Sequence, residues 1–339
     1  MNKLSLAQFL IEEQQRGHDS TAELAPLLED VAVACKEISV AINQGALQGT
    51  MGSLDAQNVQ GETQKQLDVI CNDIFIAANS KRGHIAGMVS EELEQPNIPP
   101  QQSAHDKKYL LVFDPLDGSS NVNVNISVGT IFSVFRCPAG ITQPQAGDFL
   151  QAGKQQICAG YALYGTSTIL VFTTGHGVHG FTLDVETNTF FLTHPSMQIA
   201  TDTNEFAINM SNYRFWQIPM QRYIDECLQG KEGVRGKDFN MRWVASMVAE
   251  IHRILVRGGV FMYPIDSKIK QQGGKLRMLY EANPMSFIVE QAGGASSTGY
   301  ENIMNVTPTA LHQRIGVIMG SKNEVGKVVG YHHAHPVEI

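Results

Sequence analysis

Asp114-Pro115-Leu116-Asp117-Gly118-Ser119-Ser120 sets two carboxylates three positions apart, on a turn that Pro115 and Gly118 enforce. The turn follows Tyr109-Leu110-Leu111-Val112-Phe113, an unbroken apolar run that reads as a buried strand. Carboxylates at the end of a buried strand are costly unless a metal ion or hydrogen bonds compensate them. Gly118 and the hydroxyls of Ser119 and Ser120 supply backbone that can cradle a phosphate. A second acidic pair, Glu91-Glu92, follows the apolar Ile85-Ala86-Gly87-Met88-Val89. Oxygen ligands beside a phosphate cradle point to Mg²⁺-dependent phosphoryl chemistry. Asp-Pro-Leu-Asp-Gly alone reads equally well as a solvated acidic turn. Glu91-Glu92 and the serine pair tip the balance toward a metal site.

Glu62, Asp68 and Glu281 join the candidate acids. Glu62 and Asp68 taken alone read as surface charges. Glu281 follows Tyr280 and precedes Asn283-Pro284, where a short turn could aim it inward. A hard cation among these acids would lower the pKa of a bound water from about 16 toward neutrality. Asp73 reads as a helix-surface or capping acid. A basic set lies further on. Lys275-Leu276-Arg277 alternates on an expected strand, so both charges share a face. Arg242 opens the next expected helix, and Asn209, Asn212 and Tyr263 could add hydrogen bonds. A solvated strand face explains Lys275 and Arg277 alone equally well; beside an acidic centre they suggest a substrate with two anionic ends. A third set is Thr21, Glu23, Lys108, Tyr109 and Arg136. Thr21 lies at an expected helix start, a natural phosphate site, yet on sequence alone the set reads as a capping box plus two surface cations.

The elements that must position these groups are mixed α and β, in layered sheets rather than a plain βαβ array. Residues 20–43 predict a helix with Ser20-Thr21-Ala22-Glu23 as capping box, Pro26 in the first turn and Gly45 as the stop. Its apolar face is Leu24, Leu27, Leu28, Val31, Ala34, Ile38 and Ile42. Gln48 to Gln66 has no apolar periodicity and reads as a long loop. Leu67 to Ala78 is helical, and Pro96, Pro99 and Pro100 mark 93–107 as a surface connection. Strands are expected at 128–135, 159–163, 168–172, 189–192 and 260–263, with a linker over 138–156. Val244, Met247, Val248, Ile251, Ile254 and Leu255 form a buried helix face closed by Gly258-Gly259. Asn283-Pro284 caps a helix over 285–291, ended by Gly293-Gly294. The best division is near residue 195, giving 1–195 and 196–339.

The chain has 339 residues, 43% of them hydrophobic, which suffices for a large core. A formal net charge of −8 argues against nucleic acid and anionic membrane as partners. Five dispersed cysteines without CxxC spacing fit reduced thiols, Cys71 and Cys158 being core. Neither a signal peptide nor a membrane-length apolar run occurs, so the expectation is a soluble, cytoplasmic protein. His332, His333 and His335 read as a solvated tail. No Walker A, GxGxxG or GxSxG motif is present.

Asn58 to Glu62, Ser90-Glu91-Glu92, Phe113 to Asn121, Val128 to Phe132, Ala159 to Gly165, Ser246 to Ala249, Gly274 to Arg277, Leu279 to Met285 and Leu311 to Arg314 resemble motifs of class I fructose-1,6-bisphosphatases. These belong to the lithium-sensitive, Mg²⁺-dependent phosphatase superfamily. The resemblance runs from about Phe9 to about Val328. The acidic core alone matches the wider superfamily, including inositol monophosphatase; Glu281 before Asn-Pro-Met matches the bisphosphatases. The resemblance implies an α-β-α-β-α sugar-phosphatase fold of two subdomains, regulatory and metal-binding over 1–195, substrate-binding over 196–339. It implies hydrolysis of D-fructose 1,6-bisphosphate in gluconeogenesis, with sedoheptulose 1,7-bisphosphate hydrolysis in addition, or an inositol-type monophosphatase, as alternatives. A non-catalytic sugar-phosphate sensor is disfavoured by the intact acid set.

It further implies two or three Mg²⁺ per subunit, replaceable by Mn²⁺ or Zn²⁺, held by Glu62, Glu91, Asp114, the Leu116 carbonyl, Asp117 and Glu281. Asp68 and Glu92 would handle the water proton. Asp117, Gly118, Ser119 and Ser120 would take the 1-phosphate. Asn209, Arg242, Trp243, Tyr263, Lys275 and Arg277 would take the sugar and 6-phosphate. The Arg242 position implies a contact across a subunit interface, hence a homotetramer. Thr21, Glu23, Lys108, Tyr109 and Arg136 match an AMP inhibitor site, and Gln48–Gln66 a mobile active-site loop. Trp243 stands where the family usually has Tyr, Asn212 where mammalian members have Tyr, Glu62 where some have Asp, and Ala22 where the inhibitor loop has Gly. No cysteine-bearing insert of the chloroplast type is present, which argues against thioredoxin control.

Overall fold

The structure is a computed structural model and describes residues 3–50, 52–57, 63–100 and 108–335. Two helices open it, α1 (Leu6–Gln15) and α2 (Asp19–Gln48), followed by a hairpin of β1 (Ser53–Gln57) and β2 (Thr63–Lys65). The hairpin occupies ground expected as a loop, and α2 runs on past its expected stop at Gly45 to Gln48. Glu62 lies outside the described residues. Next come α3 (Gln66–Asn79), β3 (Ile85–Ser90), β4 (Tyr109–Asp117), β5 (Val128–Arg136), β6 (Cys158–Tyr164), β7 (Thr168–Thr173), β8 (His179–Asp184) and β9 (Thr189–His194). These seven strands make one sheet in chain order, antiparallel except for the parallel pair β3–β4.

The second half adds β10 (Glu205–Ala207), α4 (Ile218–Leu228), β11 (Asn240–Met241), α5 (Met247–Arg257), β12 (Val260–Tyr263), β13 (Leu276–Arg277), α6 (Asn283–Gln291), β14 (Ala295–Ser297), β15 (Arg314–Ile315), β16 (Val317–Gly320) and α7 (Lys322–Ala334). A five-stranded sheet runs β11-β10-β12-β16-β14, and β13 pairs with β15. Helices α1, α2 and α3 cover one face of the large sheet. Helices α5 and α6 are sandwiched between the two sheets, and α4 and α7 cover the far face of the smaller one. The expected α-β-α-β-α layering is therefore present, with one apolar core under α1–α3, one running from the large sheet through α5 and α6 to the smaller sheet, and one under α4 and α7. A smaller cluster joins β4 to Phe135, Phe149, Leu279 and Tyr280.

Strand β4 is buried along its whole length. Leu111 and Phe113 face the α2–α3 core, where the Phe113 ring lies 4.4 Å from that of Phe75, while Leu110 and Val112 face the smaller cluster. A strand buried on both faces reads as an unbroken apolar run rather than an alternating one.

Several boundaries differ from expectation. Helix α2 starts at Asp19 with His18 as N-cap and no side-chain cap, so the Ser20–Glu23 capping box does not form; the Thr21 hydroxyl instead bonds that of Thr174 at 2.6 Å. Pro26 falls beyond the first turn, and the helix runs through Gly45 to Gly49, which ends it with φ 70°. One helical glycine costs about 1 kcal/mol, less than the packing of this face against α3 and the large sheet returns. Arg242 does not open α5: it follows β11, and the helix begins at Met247. His332 is 3% exposed inside α7 and His333 bonds the Tyr300 carbonyl, so the histidine-rich end is no solvated tail.

Candidate active site

The acidic turn interrupts the β4–β5 ladder. Asp114 pairs with Ile131 and Asp117 with Gly129, so Pro115 and Leu116 face the single residue Thr130 across a β-bulge. The bulge turns both acids to the same side. Leu116 N–H is satisfied by Asp114 Oδ1 at 2.9 Å. Glu281 arrives from a single π turn, Met278–Ala282, inserted directly before α6; its Oε2 accepts the Arg277 N–H at 2.5 Å. One carboxylate oxygen each of Asp114, Asp117 and Glu281 then lies within 4.8 Å of the others, and all three are buried. Glu91, at the end of β3, hydrogen-bonds Asp114 and receives the buried Arg277 guanidinium at 3.2 Å.

Asp117 is held by the start of α5. Its Oδ2 accepts Val248 N–H at 2.9 Å and Ser246 Oγ–H at 3.2 Å, using the positive end of the helix. That approach demands a glycine next door. Gly118 has φ 76°, and a Cβ there would stand 2.8 Å from the Ser246 Cβ. Ala245 sits in the left-handed region at φ 61°, a conformation costing about 1–2 kcal/mol. Asn121 Nδ2 fixes that turn by donating to the Val244 and Ala245 carbonyls at 3.1 and 3.3 Å.

Burial is the first cause of the acids' altered titration. It pushes Asp117 up to about 6 against the α5 hydrogen bonds, and Glu281 up to about 8 against the opposing Arg277 charge. Asp114 is raised well above the usual carboxylate range by burial and then by Glu91, Asp117 and Glu281. Asp68, at the first turn of α3, is pushed up to about 6 by burial, opposed by hydrogen bonds from Lys65 N–H, at 2.8 Å, and Ser119. Hard oxygen donors crowded into a buried space, with protons held there at neutral pH, fit a divalent cation of the Mg²⁺ type.

This has a consequence for stability. Between pH 4 and 8 the folded chain keeps protons that the unfolded chain, with carboxyl pKa values of about 4, has released. More protons bound in the folded state means stability falls as pH rises. In EDTA the melting temperature should drop from pH 5 to pH 8.5, and saturating Mg²⁺ should recover most of the loss at pH 8.5. A calorimetric scan series that is flat in pH, or unmoved by Mg²⁺, would contradict a cation-binding acid cluster.

The acids open into a cavity of about 440 Å³. Glu91, Asp114, Leu116, Asp117, Glu281 and the cradle Gly118-Ser119-Ser120 line it, with Asn209, Trp243, Tyr263, Lys275 and Arg277. Trp243 stacks on Phe261 with ring centroids 6.1 Å apart, so it contributes a flat apolar wall where a Tyr would bring a hydroxyl. Asn212 hydrogen-bonds Tyr263 behind it. Arg277 does not lie on a solvated strand face: it is 4% exposed and its guanidinium serves Glu91. Among the described residues, the cavity lining does not include Asp68, Arg242 or Glu92; Asp68 reaches it through Ser119. Arg242 is exposed and pairs with Glu205 at 3.6 Å, and Glu92 N–H bonds Ser90 Oγ at 3.2 Å.

Sequence reasoning missed Lys65, Ala245, Ser246 and Phe261, all in the lining. Lys65 Nζ donates to the Ser119 carbonyl at 2.6 Å, pinning the cradle from below. Ser246 carries a legible signal, a serine directly before the apolar helix face. Lys65 carries none. Of the third set, Arg136 pairs with Glu23 at 3.2 Å and Tyr109 Oη reaches the Glu23 carbonyl at 3.5 Å. Lys108 is exposed, and the Thr21 hydroxyl is engaged elsewhere.

Layered sheets meeting at a buried acid cluster and a glycine-serine cradle define a phosphatase architecture, and the chain belongs to the fructose-1,6-bisphosphatase family. The model of the family's N-terminal domain matches residues 4–195 and that of its C-terminal domain residues 199–333. The class 1 fructose-1,6-bisphosphatase of Methylobacillus flagellatus is 57% identical over 329 residues, 97% of this chain and 98% of the relative. That of Halorhodospira halophila is 57% identical over 331 residues, with the same coverage of 97% and 98%. Among solved structures, the holo form of Leishmania major fructose-1,6-bisphosphatase superposes with a TM-score of 0.90 at 37% identity, covering 98% of this chain and 100% of that one. Its apo form gives 0.84 at 36% identity, with coverage again 98% and 100%. No described helix is long and apolar enough to cross a membrane.

Proposed function

We propose that this protein hydrolyses D-fructose 1,6-bisphosphate to fructose 6-phosphate and phosphate. The observation that carries the reading is one cavity holding both the buried cluster of Asp114, Asp117 and Glu281 and the cationic Lys275, with the Gly118–Ser120 cradle between chain segments that bear them. Glu91, Asp114, Asp117, Glu281 and the Leu116 carbonyl would hold Mg²⁺, two or three ions per subunit, with Glu62 as a further ligand and Mn²⁺ or Zn²⁺ as substitutes. When bound, the cations supply charge to polarise the reacting phosphate and to acidify the attacking water. The chain's own groups do the rest. Gly118, Ser119 and Ser120 orient the 1-phosphate, Lys65 keeps that backbone in place, and Asp68 with Glu92 takes the water proton. Asn209, Tyr263 and Lys275 hold the sugar and the remote phosphate, whose binding energy aligns the reacting one.

The division into a metal-binding 1–195 and a substrate-binding 196–339 rests on this partition, with Glu281 crossing it. A cytoplasmic homotetramer is part of the same reading, in which the exposed Arg242, outside its own subunit's lining, would serve a neighbour's site. The Glu23–Arg136–Tyr109 contacts, with exposed Lys108 beside them, support an AMP pocket at the start of α2.

Phosphate release from fructose 1,6-bisphosphate, sedoheptulose 1,7-bisphosphate and a sugar monophosphate, with and without Mg²⁺, tests the function. Lys275→Ala should cost the bisphosphate on the order of 10²-fold in kcat/KM, as for loss of a charge-assisted phosphate contact, while slow monophosphate hydrolysis stays similar. Equal losses on both would favour a monophosphatase. AMP added to the same assay should inhibit wild type without competing with substrate, and Lys108→Ala should blunt it.

A further inference from the structure

The bulge that aims Asp114 and Asp117 leaves ladder groups to be satisfied by other means. Pro115 has no N–H to offer, and Leu116 N–H goes to Asp114. The Pro115 carbonyl is taken by the residue facing the bulge: Thr130 Oγ1 donates to it at 2.9 Å. Thr130 also stands 2.8 Å from Tyr164 Oη. The Thr130 hydroxyl has one proton, spent on Pro115, so Tyr164 must be the donor in that second bond. Tyr164 and Thr130 are both buried, 7% and 0% exposed. Both donors therefore point one way, from β6 through β5 to the carbonyl between the two acids. Buried chains with a fixed direction polarise and rigidify their members.

We propose that Thr130 and Tyr164 are positioning residues for the acid pair: their hydroxyl relay stands in for the missing ladder bond and sets the separation of Asp114 and Asp117. The inference rests on the metal-site reading above. Neither residue lines the cavity. Their influence is on how well two carboxylates converge, which a cation senses directly. The neighbouring Gly129 is part of the same arrangement. A Cβ there would run into the Ala162 carbonyl of β6 and meet the Val248 side chain of α5 at 2.7 Å, so glycine lets both β6 and the helix that binds Asp117 approach closely.

The test is Mn²⁺ binding by the full chain, followed by the electron paramagnetic resonance signal of the free ion, with melting temperatures recorded alongside. Thr130→Val keeps the shape and removes the hydroxyl; it should weaken Mn²⁺ binding by about tenfold or more, the usual cost of losing a partner behind a ligand. Thr130→Ser should return to within about twofold of wild type, since it retains the donor. Tyr164→Phe should show a smaller loss in the same direction. Wild-type affinity in Thr130→Val, or no rescue by Thr130→Ser, overturns the proposal. Wild-type affinity in Tyr164→Phe overturns the part of it that concerns Tyr164. Asp117→Asn in the same titration separates the two levels. If it abolishes binding while Thr130→Val does not, the relay alone is wrong; if Asp117→Asn also binds normally, the metal site itself is wrong.

Discussion

Asp117→Asn is expected to fold, to melt in EDTA no lower than wild type, and to lose turnover by on the order of 10³-fold or more, a loss at least as large as removing one preorganised transition-state contact. The two halves of this expectation come from one cause. Asp117 shares a buried space with Asp114 and Glu281, and Arg277 brings a compensating guanidinium into the cluster through Glu91. Without a cation, a neutral amide relieves repulsion there. Asn can still accept the Val248 N–H, so the start of α5 keeps its anchor. With cations present, the same change removes a full negative charge from the ligand set. Phosphate release at saturating Mg²⁺ decides the matter: near-normal activity would remove Asp117, and with it the whole acid cluster, from the catalytic centre. Loss of activity accompanied by a lower melting temperature in EDTA would instead mark Asp117 as a structural cap for α5.

How much of this arrangement the sequence discloses depends on whether the signal is local. Strand β4 and its acidic turn are legible because burial on both faces forces an unbroken apolar run, and charges ending such a run stand out. Glu281 is legible through the Asn283-Pro284 start beside it, although the π turn that aims it has no sequence mark. The β1–β2 hairpin is illegible, because its strands are short and carry only two apolar residues, Leu54 and Ala56, too brief an alternation to mark a strand. Strand β8 escapes for a related reason: His179, Gly180 and Thr182 dilute the pattern, and its burial is partial. The capping box at Ser20–Glu23 fits the local rule and loses to tertiary structure, since Thr21 finds Thr174 across the fold. Pairings over long separations are not readable from spacing at all. Ser246 meets Asp117 over 129 positions, and Arg277 meets Glu91 across most of the chain. The candidate acids therefore emerge from the sequence as a set, and the groups that hold them in place do not.

The proton acceptor is where geometry ranks two residues that motif resemblance leaves equal. Asp68 is 4% exposed, accepts hydrogen bonds from Lys65 N–H and Ser119, and has a pKa pushed up to about 6 by burial. It therefore touches the phosphate cradle and titrates near the working pH, which suits a general base. Neither residue is in the cavity lining, but Glu92 is partly exposed and its backbone is tied to Ser90. Asp68→Asn keeps an acceptor for Lys65 N–H and so preserves the start of α3. It should lower kcat by about 10²–10⁴-fold, the usual share of a positioned base, with little change in KM. The loss belongs to kcat because the proton moves only in the transition state. Glu92→Gln should lower kcat less, again with KM nearly unchanged. The pH profile supplies the sharper check. The acid limb of kcat/KM in wild type should be set by a group that must be deprotonated, and it should flatten in Asp68→Asn and persist in Glu92→Gln. The reverse pattern, a small effect at Asp68 and a loss beyond about 10² at Glu92, would make Glu92 the base and leave Asp68 as the residue that caps α3 and steadies Ser119.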